Sequence, residues 1–310
     1  MNAARLRELA WQAALLAVIG AAVVLAGRQA GANLEARGIA RGFAYLGRSA
    51  GFEIAPGVLE YSSRDTYAWA LAVGVVNTLR VSALAMLIAT VLGVGVATAR
   101  LSRRRPVAMV AGAAIEALRN TPLLLQLFCW HSLWWLLPGP QAGLPLWPGL
   151  WLTSRGLHLP TPWGSPTVSR FGVEGGLWIS PEFATLLVGL SVGAAAYIGE
   201  IVRGGVLAID HGQTDAAAAL GLSRWQTLRH VLLPGAVPMM VPPMTSQFVN
   251  VVKNSSLGVA IGYPDLISLT STTLNQTGQA IEAIAVAMTC YVGIGVALSL
   301  GVRAWERSRA

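Results

Sequence analysis

Six stretches of this chain are long and apolar enough to fill a lipid bilayer, and that fixes its class before any motif is considered. A helix crossing the hydrocarbon core needs about 20 residues with few charges, because no water is there to bond an exposed backbone group. The candidates are residues 10–26, 81–99, 107–137, 183–202, 235–252 and 283–302. Composition agrees. Of 310 residues, 54% are hydrophobic and 12% charged, with mean hydropathy +0.57, and that charge density is about half that of a soluble domain. The expected fold is an all-α integral membrane protein of about six transmembrane helices.

The basic residues set the topology. The net charge of +8 does not point to nucleic acid, because the arginines flank apolar spans and do not line one face with interleaved aromatics. Six spans with both termini in the cytoplasm place Arg5, Arg7, the 100–105 arginine cluster, Arg203, Arg224, Arg229, Arg303, Arg307 and Arg309 on one side, as the positive-inside rule requires. The outer segment 27–67 runs against that pattern with Arg28, Arg37, Arg41, Arg48 and Arg64. The apolar run to Ala26 is long for a signal peptide, so the first segment is read as a retained span. The expected organisation is an N-terminal span and outer segment (1–67), a transmembrane domain (68–303) and a cytoplasmic tail (304–310). The transmembrane domain includes an outer loop (138–181) and a cytoplasmic loop (203–235). Trp147, Trp151, Trp163 and Trp178 suit the outer loop to the lipid headgroup level.

Two segments are irregular. The stretch 107–137 is too long for one span, so its first turns are expected along the inner interface. There Glu116 and Arg119 form an i, i+3 pair, and Thr121 and Pro122 open the membrane portion. The fifth segment contains Pro238, Pro242 and Pro243, which are expected to kink or break it.

Catalytic chemistry is excluded on the residues available. His131, His158, His211 and His230 have no metal-ligand spacing with one another or with Cys129 and Cys290. No nucleophile elbow is present, and paired acids do not converge on any span. A P-loop needs a lysine directly after its glycine, whereas the only lysine, Lys253, follows Val252. The chain is therefore expected to have no catalytic residue, metal site, cofactor or ATP site of its own.

The long polar interruption at 204–243 has its own logic. Thr214 can cap a short helix over 215–220, with Asp215 in its first turn and Gly221 as a left-handed stop. Ser223 and Gln226 then form a capping box for a second helix that carries Trp225, Leu228, Val231 and Leu232 at helical spacing until Pro234. A helix of six residues is marginal in water, so something must hold it.

The spaced set Asp215, Ala216, Ala217, Gly221, Val231, Leu233 and Pro234 resembles the E-A-A-x3-G-x9-I-x-L-P signature of ABC importer permeases, with Asp for Glu and Val for Ile. RNTPLLLQLF (119–128), AYIGEIVRGG (196–205) and the stretch 233–266 look like the polar amino acid branch of that family. SRGLHLPTP (154–162) is similar to the general L-amino acid permeases of Gram-negative bacteria.

The resemblance implies the permease subunit of an ATP-driven amino acid importer in the bacterial inner membrane. Its implied partners are ABC ATPase subunits, a second permease chain, a periplasmic amino-acid-binding protein, the amino acid substrate and membrane lipid. In such proteins the short helix sits in a cleft of the ATPase, so 215–220 would be the coupling helix. For the path, polar residues at membrane depth are the candidates. They are Lys253, Asn250, Asn254, Ser255 and Ser256 around the end of the fifth span, Thr121 and Gln126 on the third, and Tyr197 and Glu200 on the fourth. Lys253 either meets a substrate carboxylate or snorkels to the headgroups. The rival readings are an ion-gradient-driven secondary transporter, which would need paired intramembrane acids, and a membrane scaffold with no path.

Overall fold

The structure, a computed structural model, describes residues 3–36, 42–162, 164–170 and 172–307. Arg37, Arg41, Trp163 and Arg309 fall outside them. Ten helices carry the described chain: α1 (Ala3–Ala36), α2 (Tyr67–Arg100), α3 (Arg105–Asn120), α4 (Leu123–Ser132), α5 (Pro181–Leu207), α6 (His211–Ala219), α7 (Arg224–Thr227), α8 (Leu233–Asn254), α9 (Leu266–Thr277) and α10 (Ala280–Arg307). Four are long and apolar enough to cross a membrane, over Ala10–Asn33, Tyr67–Arg100, Pro181–Leu207 and Ala280–Trp305. At 34 residues, α2 is about 51 Å long. That length exceeds the roughly 30 Å hydrocarbon thickness of a bilayer.

Small residues let α2 and α5 meet at the centre. Ala85, Ala89 and Ala97 are fully buried on α2, and a Cβ built on Gly93 would lie 2.6 Å from Ile198 Cγ2. Without a hydrophobic force between helices in lipid, such close backbone approach is what gives van der Waals packing its hold. Leu127, Leu186, Leu190 and Val251 fill the remaining volume, joining α4 and α8 to the pair.

The third expected span is two helices. Thr121 (φ −96°, ψ 125°) and Pro122 are extended between α3 and α4, since a proline ring disfavours helix in the residue before it. The expected Glu116–Arg119 pair is not formed. Arg119 instead stacks over the Tyr197 ring, 5.0 Å from its centroid. The fifth expected span also differs from its expectation, because α8 runs unbroken through Pro238, Pro242 and Pro243. The acceptors freed by Pro234, Pro238 and Pro242 belong to residues 230, 234 and 238, which recur every four positions and so lie along one face. Pro243 frees one further acceptor, that of residue 239, on the adjacent face, and the ladder on the remaining faces is left intact.

At the end of the bundle away from Arg100 lie two caps. Residues 42–66 fold over α2 and α9 on the buried rings of Tyr45 and Tyr67, and Tyr67 Oη donates to Gln276 Oε1 (2.8 Å). Among its described residues, the loop 138–181 holds one short 3-10 turn (Pro140–Ala142) and is otherwise built on strands. It holds a four-stranded antiparallel sheet of β1 (Leu144–Trp147), β2 (Leu150–Thr153), β3 (Gly156–Leu159) and β6 (Leu177–Ile179), beside a hairpin of β4 (Thr167–Ser169) and β5 (Gly172–Glu174). His158 is buried within this sheet, and burial pushes its imidazole below the ordinary histidine range.

Candidate functional site

Two features of the bundle are the candidates: a helical hairpin at the arginine-rich end and a polar cavity between α4, α5 and α8.

The hairpin is built from local signals. Its first helix, α6, begins four residues earlier than the sequence reading placed it. Asp210 is the N-cap, accepting from Gly212 N at 2.8 Å. Thr214 is inside the helix and donates to His211 O, so Asp215 stands in the second turn, exposed. The stop is as read. Gly221 has φ +74°, and the bonds Gly221 N→Ala218 O (2.9 Å) and Leu222 N→Ala217 O (3.1 Å) close a Schellman motif. Ser223 and Gln226 form the capping box, with Ser223 N donating to Gln226 Oε1 at 2.8 Å and Gln226 N to Ser223 Oγ at 3.4 Å. The chain does not stop at Pro234. A π turn over Leu228–Leu232 carries α7 into α8 without a break.

Of the signature residues, Ala217 is buried against this π turn, Val231 is half-buried, and Ala216, Leu233 and Pro234 are exposed. Leu220 and Trp225 are 81% and 65% exposed. These two large apolar side chains flank the capped turn.

The polar cavity has a volume of about 290 Å³ and is lined by Thr121, Gln126, Tyr197 and Asn254, together with Arg119 and Gln247. Gln126 is its anchor. The Nε2 amide donates to both Leu118 O and Thr121 O at 2.9 Å, which recovers carbonyls freed by the break at Pro122 and fixes the amide's orientation. Its Oε1 is buried with no partner among the described residues. Leaving a buried acceptor without a bond costs about 1–3 kcal/mol, and this oxygen is the one unspent polar atom of the Gln126 amide.

Arg119, Tyr197 and Gln247 also line a second cavity, of about 500 Å³, that reaches Glu200. Glu200 ties α2 to α5 at this level. Arg100 Nε lies 3.1 Å from its Oε1, and Arg203 Nη2 lies 2.9 Å from its Oε2. The two cavities share Arg119, Tyr197 and Gln247 as lining residues.

The remaining sequence candidates sit elsewhere. Lys253 is exposed and faces a groove between α8 and α10, with Val249, Tyr291 and Arg303. Ser255 is fully buried, and its hydroxyl donates to Val252 O; Ser256 donates to Lys253 O. Asn250 is exposed and lines neither polar cavity. Gln247 escaped the sequence reading, although Gln247, Val251 and Asn254 follow the i, i+4, i+7 spacing of one helix face.

Comparison with known proteins bears on this geometry. Residues 67–308 match the family model described as binding-protein-dependent transport system inner membrane component. The chain is 37% identical to a putative amino-acid ABC transporter permease protein, YhdX, of Escherichia coli (strain K12), over 89% of this chain and 87% of that protein. It is 33% identical to the general L-amino acid transport system permease protein AapQ of Rhizobium johnstonii, over 86% and 83%. Among solved structures, its fold is similar to that of a chain from an amino acid ABC transporter with histidines. The TM-score is 0.60 at 24% identity, covering 78% of this chain and 95% of that one. Inward-facing MetNI methionine ABC transporter chains are similar at TM-score 0.57 and 19% identity, over 78% and 97%. With the spans, the hairpin and the polar cavity in place, the match over residues 67–308 means that this chain belongs to the binding-protein-dependent transport system inner membrane component family.

Proposed function

We propose that this chain is the membrane-spanning permease subunit of an ATP-driven amino acid importer. The supporting observation is the pairing of a polar cavity walled by Gln126, Tyr197, Gln247 and Asn254 with a capped helical hairpin at one end of the same helices. The hairpin 210–227 docks a separate ATPase, and a route through the two cavities, from Gln126 to Glu200, carries the amino acid. In this reading the arginine-rich end, both termini and the hairpin are cytoplasmic, and the sheet end faces a periplasmic binding protein. A second permease chain, identical or homologous, completes the path.

Each part has a stated role. Asp215 offers the ATPase a charge, Ala216 and Ala217 allow close approach, and Gly221 makes the exit turn. Val231, Leu233 and Pro234 carry motion into α8, whose far end bears Asn254 in the cavity wall. Gln126, Thr121, Tyr197 and Asn254 form the polar wall that the substrate's groups meet. Asn250, Lys253, Ser255 and Ser256 are left with structural or interfacial roles. Closure of the ATPases around ATP biases the two permeases between inward-open and outward-open arrangements.

The docking role is tested by co-purification with a co-expressed ABC ATPase partner. Deleting 215–217 is expected to abolish capture while membrane insertion persists, and undiminished capture would remove the hairpin from the account.

A further inference from the structure

A third cavity, of about 390 Å³, lies at the sheet end, and nothing above uses it. Its volume falls in the range of roughly 300–1,000 Å³ typical of small-molecule sites. It is walled by five separate pieces of chain: residues 55–57, α2 through Asn77 and Arg80, the β2–β3 turn through Arg155, the start of α5 through Glu182, and residues 262–264. Segments so distant in sequence converge here because Gly262 (φ +82°) turns the chain back against α5. A Cβ on that glycine would lie 3.9 Å from Glu182 Cγ.

The charges in this cavity are unlike and unspent. Arg80 lies over the Phe183 ring, 4.4 Å from its centroid, and forms no ion pair among the described residues; Arg155 and Glu182 form none either. The neutral groups around them are committed. Asn77 Nδ2 donates to Pro264 O (2.9 Å), and Tyr263 Oη donates to Asn77 O (3.1 Å). What remains without an ionic partner among the described residues is two guanidinium groups and one carboxylate lining the same cavity, a pattern complementary to a small molecule with a carboxylate and an ammonium on one carbon. Guanidinium suits bidentate carboxylate binding, and charge-assisted bonds are the stronger kind.

We propose that this cavity binds free α-amino acids as zwitterions, with Arg80 and Arg155 on the carboxylate and Glu182 on the ammonium. It is the first station for substrate entering the bundle. The proposal rests on the permease reading for its direction but not for its chemistry.

The test uses the full chain in lipid nanodiscs and three probes: L-glutamine, N-acetyl-L-glutamine, which lacks the ammonium, and 4-aminobutanamide, which lacks the carboxylate. Saturable L-glutamine binding is expected to weaken about 10-fold or more for Arg155→Gln and Glu182→Gln. Each incomplete probe is expected to bind at least 10-fold more weakly than glutamine. Arg155 is exposed, so its variant keeps the fold, which an unchanged thermal midpoint verifies. The proposal is overturned by equal affinity for all three probes, by no measurable glutamine binding, or by variants within twofold of the wild type. ATP-driven uptake by the assembled transporter separates the two claims. Uptake with an unchanged KM in both variants removes this site alone, whereas no amino acid uptake by the wild type removes the permease reading.

Discussion

Replacing Gly221 tests the hairpin with a magnitude that the structure defines closely. At φ +74°, with no heavy atom within 4 Å of an added Cβ, a substitution meets no steric neighbour and disturbs only backbone conformation. Holding a non-glycine L-residue in the left-handed region costs roughly 1–2 kcal/mol. Escape from that region breaks the bonds to Ala217 O and Ala218 O, each worth about 0.5–1.5 kcal/mol. A penalty of one to two kcal/mol reduces the correctly turned population by a factor of about 5–30. Asn tolerates this conformation, Ala less so, and Val least. Transport in reconstituted proteoliposomes should therefore fall in the order Gly, Asn, Ala, Val, with the Val variant about tenfold or more below wild type. The thermal midpoint of the bundle should stay unchanged, because Gly221 is exposed and outside the core. Equal transport by Gly221→Val and the wild type, or a ranking by side-chain size without regard to left-handed tolerance, refutes the reasoning.

Two further substitutions probe the helix contacts. Gly93→Val sets its side chain against Ile198 at the α2–α5 contact and should lower the unfolding midpoint in detergent by an amount equivalent to about 1–3 kcal/mol. Gly95→Ala meets nothing within 4 Å and should leave the midpoint unchanged or slightly raised, so an equal loss from both would deny that close packing is the cause. Glu200→Gln removes the anion between Arg100 and Arg203. Because all three side chains are 20–30% exposed, the expected loss is about 1–2 kcal/mol, read from the same unfolding curve. A wild-type curve would show that this network does not tie α2 to α5.

The sequence made the spans and the hairpin's exit legible because both rest on local rules. Apolar length gives the long helices, and Gly221, Ser223 and Gln226 act within a few residues of themselves. The start of α6 was hidden by competition between two adequate caps. Thr214 followed by Asp215 imitates a helix start, while the actual cap, Asp210, is followed by His211 and Gly212, which are poor advertisements for a first turn. The prolines of α8 misled for a different reason. Their spacing, not their number, decides whether the lost bonds fall on one face. Direction around a helix axis was the hardest quantity to read. Lys253 and Asn254 are neighbours in sequence but about 100° apart around α8, and only tertiary packing decides that Asn254 joins Gln126 while Lys253 faces α10. The strands of the 138–181 loop are three or four residues each, too short for alternation to register.

The permease role requires that this chain move amino acids at the expense of ATP hydrolysed on another subunit. The direct measurement is uptake of labelled amino acids into proteoliposomes holding the permease, its ATPase partner and the binding protein. It is compared with the same assembly carrying an ATPase whose P-loop lysine is replaced. The account predicts ATP-dependent uptake that disappears with the inactive ATPase and is indifferent to proton or sodium gradients. Uptake that persists with the inactive ATPase and follows an ion gradient would contradict it.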